Sequence, residues 1–382
     1  MGSIVIADVH LQRSYTSGKG LDDHFNSLED VFRMAEDMSQ TTVTPIIMAG
    51  DIFDTTKVTP SSLQRALEIF DRHPSIPIYF INGNHDPEDG QQISWMKFCE
   101  RAIELGPEKT ILPDGLTVAG MSWRVNSRIV EDMQQVDHSV DCLFVHQFIE
   151  PVYSLDDEFR SIIQNALPST LYKDFKAVIA GDVHKQQVNV GSIPPLAYPG
   201  PTCPCNLIEE PGCLYISKTQ EPDCQPFGGF FVKAIQLPKR PVLDYKIKAL
   251  THETLEDVAS YIDNDLSKLQ NTFINEREGA LEIERPWIVL RSPTMDGKAV
   301  EAISKRFKPY GDVLVRPISA SANTITEDIE ACETLPSQSI SEYIVSRLTY
   351  ENLDDTMKAR LTDLILHEQS FIEDTQRKLG LE

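Results

Sequence analysis

Five short stretches of this chain put metal-ligand side chains directly after an apolar run. Asp8-Val9-His10 follows residues 4–7, Gly50-Asp51 follows 46–48, and Asn84-His85-Asp86 comes just after 78–81. His146 follows 142–145, and Asp182-Val183-His184 comes just after 178–180. A single aspartate in such a place usually caps a turn, and a single histidine is usually structural. Repetition of carboxylate, imidazole and amide groups changes that balance. Runs this short and this apolar are expected to be strands covered on both faces. Ligands of open α/β sheets gather just past the carboxyl ends of the strands. The five stretches are therefore expected to converge on one edge of one sheet. Oxygen and imidazole donors suit Mn, Fe, Zn or Mg rather than soft metals. Two such ions about 3.5–4 Å apart form the usual machinery of phosphate-ester hydrolysis.

Within the clusters the roles divide. Asn84 can serve as a neutral metal ligand, and the adjacent His85 can point at a reacting phosphate instead. As an imidazolium it would donate a proton to the leaving oxygen. Asp86 either orients His85 or closes its turn. Asp54, in Gly50-Asp51-Ile52-Phe53-Asp54, either supports the site or ends the loop. Arg124 reads equally as a phosphate contact or as a structural arginine.

The chain has 382 residues, enough for two or three domains, and 58 acidic against 35 basic side chains, a formal net charge of −23. Proteins that hold nucleic acid on their own surface are usually basic. Either the substrate is no polyanion, or the binding face is small, or a partner supplies the positive field. Seven cysteines, an odd number, argue for reduced thiols rather than a disulfide scaffold. The spacing of Cys203, Cys205, Cys213 and Cys224 is not that of a zinc knuckle, so free thiols are expected. No apolar run is long enough to span a membrane, and the chain enters a strand at once with no charged leader. A cytoplasmic, membrane-free protein is the expectation.

Helical periodicity marks residues 26–40, 60–70 and 93–105. Short strands are expected at 111–112 and 116–121. Near residue 228 the character changes. Strands at 230–232 and 242–250 read as lying outside the metal sheet. A helix over 254–273, a strand at 287–290, a helix over 298–306 and a strand at 313–315 complete a smaller module. Residues 318–337 read as a linker. Helices over 339–348 and 352–379 follow, with an apolar stripe of Met357, Leu361, Leu364, Ile365, Phe371 and Ile372. This tail suits docking on a partner's helices. The expected domains are 1–227, 228–317, the linker 318–337 and the tail 338–382.

The order D-x-H, G-D-x-F-D, G-N-H-D, a lone His and G-x-x-H resembles that of the calcineurin-like metallophosphoesterases. AGDIFDTTKVTPSS, INGNHD, GDVHK and YPGP are similar to the SbcD-type nuclease subunit of double-strand-break repair complexes, with the flavour of a compact phage recombination nuclease. The resemblance implies an α/β four-layer sandwich, two sheets flanked by helices, with a smaller α+β capping domain and a C-terminal helical tail. It implies that Asp8, His10 and His184 hold a first metal, that Asp51 bridges, and that Asn84 and His146 hold a second. His85 would be the catalytic histidine. Two divalent ions are implied, Mn2+ with Mg2+ as the alternative. The implied activity is exonuclease on double-stranded DNA ends and endonuclease on single strands. The implied partners are DNA, a second copy of the chain and an SMC-like coiled-coil ATPase held by the C-terminal helices. The implied setting is the nucleoid, or a host cytoplasm for a phage protein.

One motif departs from the family. Gly181-Asp182-Val183-His184 stands where the family has G-H-x-H, so Asp182 takes the place of a metal-two histidine and is kept as a ligand. Three carboxylates instead of two make a harder site, favouring Mn2+ or Mg2+ over Zn2+. Two rival readings are a phosphatase or phosphodiesterase for small nucleotides, which suits the acidic charge, and a non-catalytic scaffold for the ATPase.

Overall fold

The computed structural model describes residues 2–15, 20–39, 43–86, 95–124, 126–149, 167–207, 209–276 and 285–317. The linker and helical tail expected over 318–382 lie outside the described residues. All five strands expected to carry ligands form: β1 (Gly2–Ile6), β2 (Ile46–Ala49), β3 (Ile78–Ile81), β7 (Cys142–Val145) and β8 (Val178–Ala180). They do not share one sheet. Strands β1, β2 and β3 belong to a seven-stranded sheet. Its order is β12 (Gln225–Phe227), β13 (Phe230–Gln236), β11 (Gly212–Ser217), β1, β2, β3 and β4 (Ala102–Glu104). Strands β7 and β8 belong to a six-stranded sheet. Its order is β5 (Thr110–Ile111), β6 (Thr117–Met121), β7, β8, β10 (Leu196–Tyr198) and β9 (Gln187–Asn189).

The alternation of side chains explains why two sheets are needed. On β1 and β2, Ile4, Ile6, Ile46 and Met48 pack with Phe25, Leu28, Val31 and Phe32 of helix α1 (Leu21–Met38) and Ala66, Ile69 and Phe70 of α2 (Pro60–Arg72). Their neighbours Val5, Ala7, Ile47 and Ala49 point the other way, onto Cys142, Phe144 and Ile179 of the second sheet. That sheet's outer face, with Leu143, Val145 and Val178, packs with Ile129 and Met133 of α3 (Asn126–Met133) and Tyr172 of the one-turn helix α4 (Ser169–Tyr172). The result is helix, sheet, sheet, helix. Both faces of every ligand-bearing strand are covered, as their unbroken apolar sequence requires.

Three local expectations are corrected. Helix α1 begins at Leu21 rather than near residue 26, because Gly20 turns the chain at φ +82° and Asp22 and Asp23 complement the helix N-terminus. The helix expected over 93–105 is instead a 3₁₀ turn (Trp95–Phe98) followed by β4, which extends the sheet in parallel with β3. There the Leu105 N–H donates to the Phe80 carbonyl at 2.8 Å. Edge pairing overrides the helical pattern. Residues 230–232, expected outside the metal sheet, are part of it. Gly228 and Gly229, at φ +60° and +102°, turn β12 back onto β13, which pairs along β11. The glycines mark a hairpin, not a boundary.

The smaller module is more regular than a segregated α+β unit. Strands β14 (Val242–Lys246), β15 (Trp287–Ser292) and β16 (Asp312–Pro317) are all parallel, with helices α5 (Leu255–Glu276) and α6 (Gly297–Phe307) between them in sequence. Ile288 and Leu290 face the helices. Trp287 and Val289 face the opposite way, packing with Leu207 and Tyr15 of the larger body. Among the described residues no helix is long and apolar enough to cross a membrane.

Candidate metal centre

The strand-end loops are held in a conformation side chains rarely adopt. Asp8, His10, Asp51 and Asp182 have φ of 49°, 48°, 50° and 77°. Left-handed backbone costs a non-glycine residue on the order of 1–2 kcal/mol. Such strain persists only where surrounding structure enforces it, and it gathers at functional sites. Here the enforcement is visible. The Asp8 and His10 N–H groups donate to the Gly50 and Asp51 carbonyls at 3.1 and 2.9 Å. Gly50 and Gly83 leave room that any side chain would take. A Cβ at Gly50 would collide with the His146 ring, and one at Gly83 with the Asp51 carboxylate.

Among the described residues, three groups bring candidate ligand atoms within 4.8 Å of one another: Asp8, Asp51 and His146; His10, Asp51 and His85; and His10, His184 and Cys205. Asp51 is common to two of them, the position of a bridging carboxylate. Its Oδ1 lies 3.4 Å from His146 Nε2, and its Oδ2 lies 3.7 Å from His10 Nε2 and 3.9 Å from His85 Nε2. His10 Nε2 and His184 Nε2 are 3.2 Å apart, and His184 Nε2 is 3.7 Å from Asp8 Oδ1.

Each imidazole has an oxygen behind its second ring nitrogen. The His146 Nδ1–H donates to the Ala49 carbonyl at 2.7 Å, which turns Nε2 toward Asp51. The His85 Nδ1–H donates to the Asp54 carbonyl at 2.8 Å. His184 Nδ1 faces Glu209 Oε1 at 3.4 Å, and His10 Nδ1 faces Asp54 Oδ1 at 3.2 Å. Ring-nitrogen partners of this kind set the tautomer and aim of a ligating histidine.

The electrostatics also suit a cation. Burial pushes the Asp8 carboxyl up to about 6 against the pull of His146 and His184. Burial also opposes ionisation of Asp51, but His146, His10 and His85 outweigh it and hold that carboxyl well below its ordinary range. Burial disfavours charge on His146, yet Asp51, Asp8 and Asp182 raise it well above an ordinary imidazole. A proton thus stands in for positive charge between buried acids. Asp8 Oδ2 is buried with no hydrogen-bond partner. With the Asn84 carboxamide oxygen turned inward, it faces His146 Nε2 at 3.2 Å and only acceptors beyond; with the nitrogen turned inward, it donates to both Asp51 oxygens at 3.2 and 3.3 Å. The first orientation is that of a ligand, the second that of an ion-free site. Carboxylate, imidazole and amide donors so arranged fit hard divalent cations.

The other sequence candidates fall as follows. Asp86 does not contact the His85 ring. Its carboxylate accepts from the Ile52, Phe53 and Gly83 N–H groups at 3.2, 3.1 and 2.9 Å, stitching the Asp51 loop to the Asn84 loop. Asp54 serves two histidines and also pairs with Arg13 at 2.8 Å. The Asp182 N–H donates to Asp8 Oδ1 at 3.1 Å, while its carboxylate belongs to none of the three groups. Arg124 is paired with Asp132. Sequence reasoning missed Glu209 and Arg13. Arg13 lies three residues past His10 and was open to notice; Glu209 sits in a polar Glu-Glu-Pro-Gly stretch that reads as surface turn.

Residues 1–186 match the family model for calcineurin-like phosphoesterases. Over that stretch, just under half of its length, the chain is similar to a calcineurin-like phosphoesterase domain. The class is that of metal-dependent phosphoesterases, and the cluster above fits its need for divalent ions. Two curated relatives are DNA double-strand break repair proteins Mre11. The one from Methanosarcina acetivorans is 29% identical over 200 residues, and the one from Methanosarcina mazei is 30% identical over 202. Each match covers 48% of this chain and 31% of the relative, so it spans about a third of the curated proteins' length. Among solved structures, a phosphopantetheinyl hydrolase from Mycobacterium tuberculosis aligns at 12% identity and a TM-score of 0.33, over 53% of this chain and 90% of its own.

Proposed function

We propose that the chain is a Mn2+-dependent DNA nuclease of the Mre11/SbcD kind, an exonuclease on double-stranded ends and an endonuclease on single strands. The observation that carries the reading is Asp51, shared between the His146 and His10–His85 groups at the meeting of two sheets. Asp8, His10, Asp51 and His184 would hold one ion, and Asp51, Asn84, His146 and Asp182 the other. Bound there, two divalent ions supply the Lewis acidity and the lowered water pKa that phosphodiester hydrolysis needs.

The chain's own groups do the rest. His85 keeps Nδ1–H on the Asp54 carbonyl, so its Nε2 faces the substrate side, and its side chain is 40% exposed. Protonated, it donates from Nε2 to the leaving oxygen. Asp86 holds that loop in register with Asp51. The smaller module, whose first strand is β14, would decide which strand reaches the metals, and the tail beyond 337 would dock on an SMC-like ATPase. A charge of −23 disfavours DNA binding by the chain alone, so a basic ATPase or a second copy would supply the field.

The experiment is degradation of end-labelled duplex DNA with Mn2+, Mg2+ or no metal, comparing the native chain with His85→Ala. Mn2+-dependent shortening abolished in the variant supports the reading. Cleavage of nucleotides but not DNA would select a small-substrate phosphodiesterase, which the acidic charge suits. No phosphodiester cleavage even with the ATPase would select a scaffold. Asp182→His tests the harder second site: a shift of preference toward Zn2+ is expected, and an unchanged preference would count against ligation by Asp182.

A further inference from the structure

Of the three ligand groups, the metallophosphoesterase reading uses every member but one: it takes His10 and His184 from the third group and leaves Cys205 without a task. Cys205 is 6% exposed, and its Sγ lies within 4.8 Å of ligand nitrogens on both histidines. Among the described residues no other cysteine belongs to this group. The thiol is also built in. Thr202 N–H and Oγ1 both donate to the Ala7 carbonyl, at 3.2 and 3.0 Å, directly before Asp8. Tyr15 donates to the Pro204 carbonyl at 2.6 Å, and Arg13 Nε to the Cys205 carbonyl at 3.2 Å. The Cys205 N–H donates to Glu209 Oε2 at 2.7 Å, and Glu209 Oε1 faces His184 Nδ1. One carboxylate thus fixes both the cysteine backbone and the histidine ring.

We propose that the first metal position doubles as a thiolate site, at which His10, His184 and Cys205 capture a borderline or soft divalent cation such as Zn2+ or Cd2+ and exclude Mn2+. Thiolate and imidazole select soft and borderline ions, whereas Mn2+ and Mg2+ take oxygen and leave the thiol protonated. Zinc bonds of about 2.3 Å to sulfur and about 2.0–2.1 Å to nitrogen need only a small side-chain movement to close the triangle. Capture releases the Cys205 proton to solvent and leaves the fourth position to water or Asp8. Because His10 and His184 serve both ions, soft-metal binding and Mn2+ binding at this position are mutually exclusive. This rests on the reading of the site as a Mn2+ phosphodiesterase, and it makes that activity sensitive to thiophilic metals.

The test is a titration of the full chain, first with Mn2+ followed by electron paramagnetic resonance, then with Cd2+ followed by the ultraviolet thiolate-to-cadmium band. The expected result is that one equivalent of Cd2+ produces the band and expels one Mn2+. Cys205→Ser should abolish that band and weaken this Cd2+ at least about tenfold, while Cys203→Ser keeps both. A band that persists in Cys205→Ser, or that forms without releasing Mn2+, overturns the proposal. Failure to take up Mn2+ before any Cd2+ is added overturns the underlying metallophosphoesterase reading as well, and is seen separately.

Discussion

Asp54 meets two histidines, His85 through its backbone and His10 through its side chain: the Asp54 carbonyl accepts from His85 Nδ1 at 2.8 Å, and its Oδ1 lies 3.2 Å from His10 Nδ1. The two supports are separable by mutation. Asp54→Ala removes the carboxylate and keeps the carbonyl. Mn2+ affinity should fall about 10–100-fold, the usual cost of losing an outer partner of a ligating histidine. Turnover at saturating Mn2+ should be largely retained. His85→Gln should do the reverse, lowering turnover by about 10²–10⁴-fold with little change in metal affinity. Calorimetric Mn2+ titration alongside single-turnover cleavage separates them. Equal effects of both variants on both quantities would refute this division of labour.

Asp86 is the joint between the Asp51 and Asn84 loops. Asp86→Ala strands three buried N–H donors, on Ile52, Phe53 and Gly83. Each orphaned donor costs about 1–3 kcal/mol, so the variant should lose at least about 3 kcal/mol of stability. Asp86→Asn retains one acceptor oxygen and should fall between. Urea denaturation of the three proteins gives the ranking, and a loss below about 1 kcal/mol in Asp86→Ala would show that water replaces the carboxylate.

What was legible in the sequence was local. An apolar run followed by a ligand-type residue is written within ten residues, and every such strand formed. The division into two sheets was hidden, because Val145 and Ala180 read like Ile6 and Met48 until the partner strands are known. Three-residue β4 was hidden for a similar reason: Ile103 and Glu104 are both exposed, so no alternation betrays a strand. Cys205 was hidden because its place is set by contacts across some 190 residues of chain, as with Arg13, and Glu209 because its facing partner, His184, lies 25 residues away. Gly228-Gly229 was visible but ambiguous, since a hairpin and a domain boundary use the same residues.

Trp287 is a central contact between the smaller sheet and the larger body. Its Nε1–H donates to Asp23 Oδ2 at 2.9 Å, Arg240 lies 4.6 Å above its ring, and Tyr15 meets it edge-on at 5.1 Å between centroids. Trp287→Ala should cost about 3–5 kcal/mol. Trp287→Phe keeps the packing and removes the indole donor, so it should cost about 1–3 kcal/mol through Asp23. Chemical denaturation with limited proteolysis reads both. Proteolysis should open first between residues 237 and 241, where the chain passes from β13 to β14. Wild-type resistance in Trp287→Ala would show that other contacts hold the two bodies together.

His24 gives the metal-free fold a pH dependence of its own. It is fully buried on α1, its Nδ1–H donates to the Val9 carbonyl at 2.9 Å, and its Nε2 has no partner. Burial pulls its pKa down from 6.5 to about 4, against the bond to Val9. Below 6.5 the unfolded chain binds a proton that the native chain refuses until about 4, so the unfolded state gains and stability falls as pH drops through that window. At pH 4.5 the loss attributable to His24 should be about 2–3 kcal/mol relative to pH 7.5. His24→Asn offers the Val9 carbonyl an amide N–H and cannot titrate. Its stability should therefore fall less than that of the native chain between pH 7.5 and 4.5, by about 2–3 kcal/mol, in metal-free denaturation curves. Parallel pH profiles for the two proteins would mean that the native state accepts the proton on His24 without penalty.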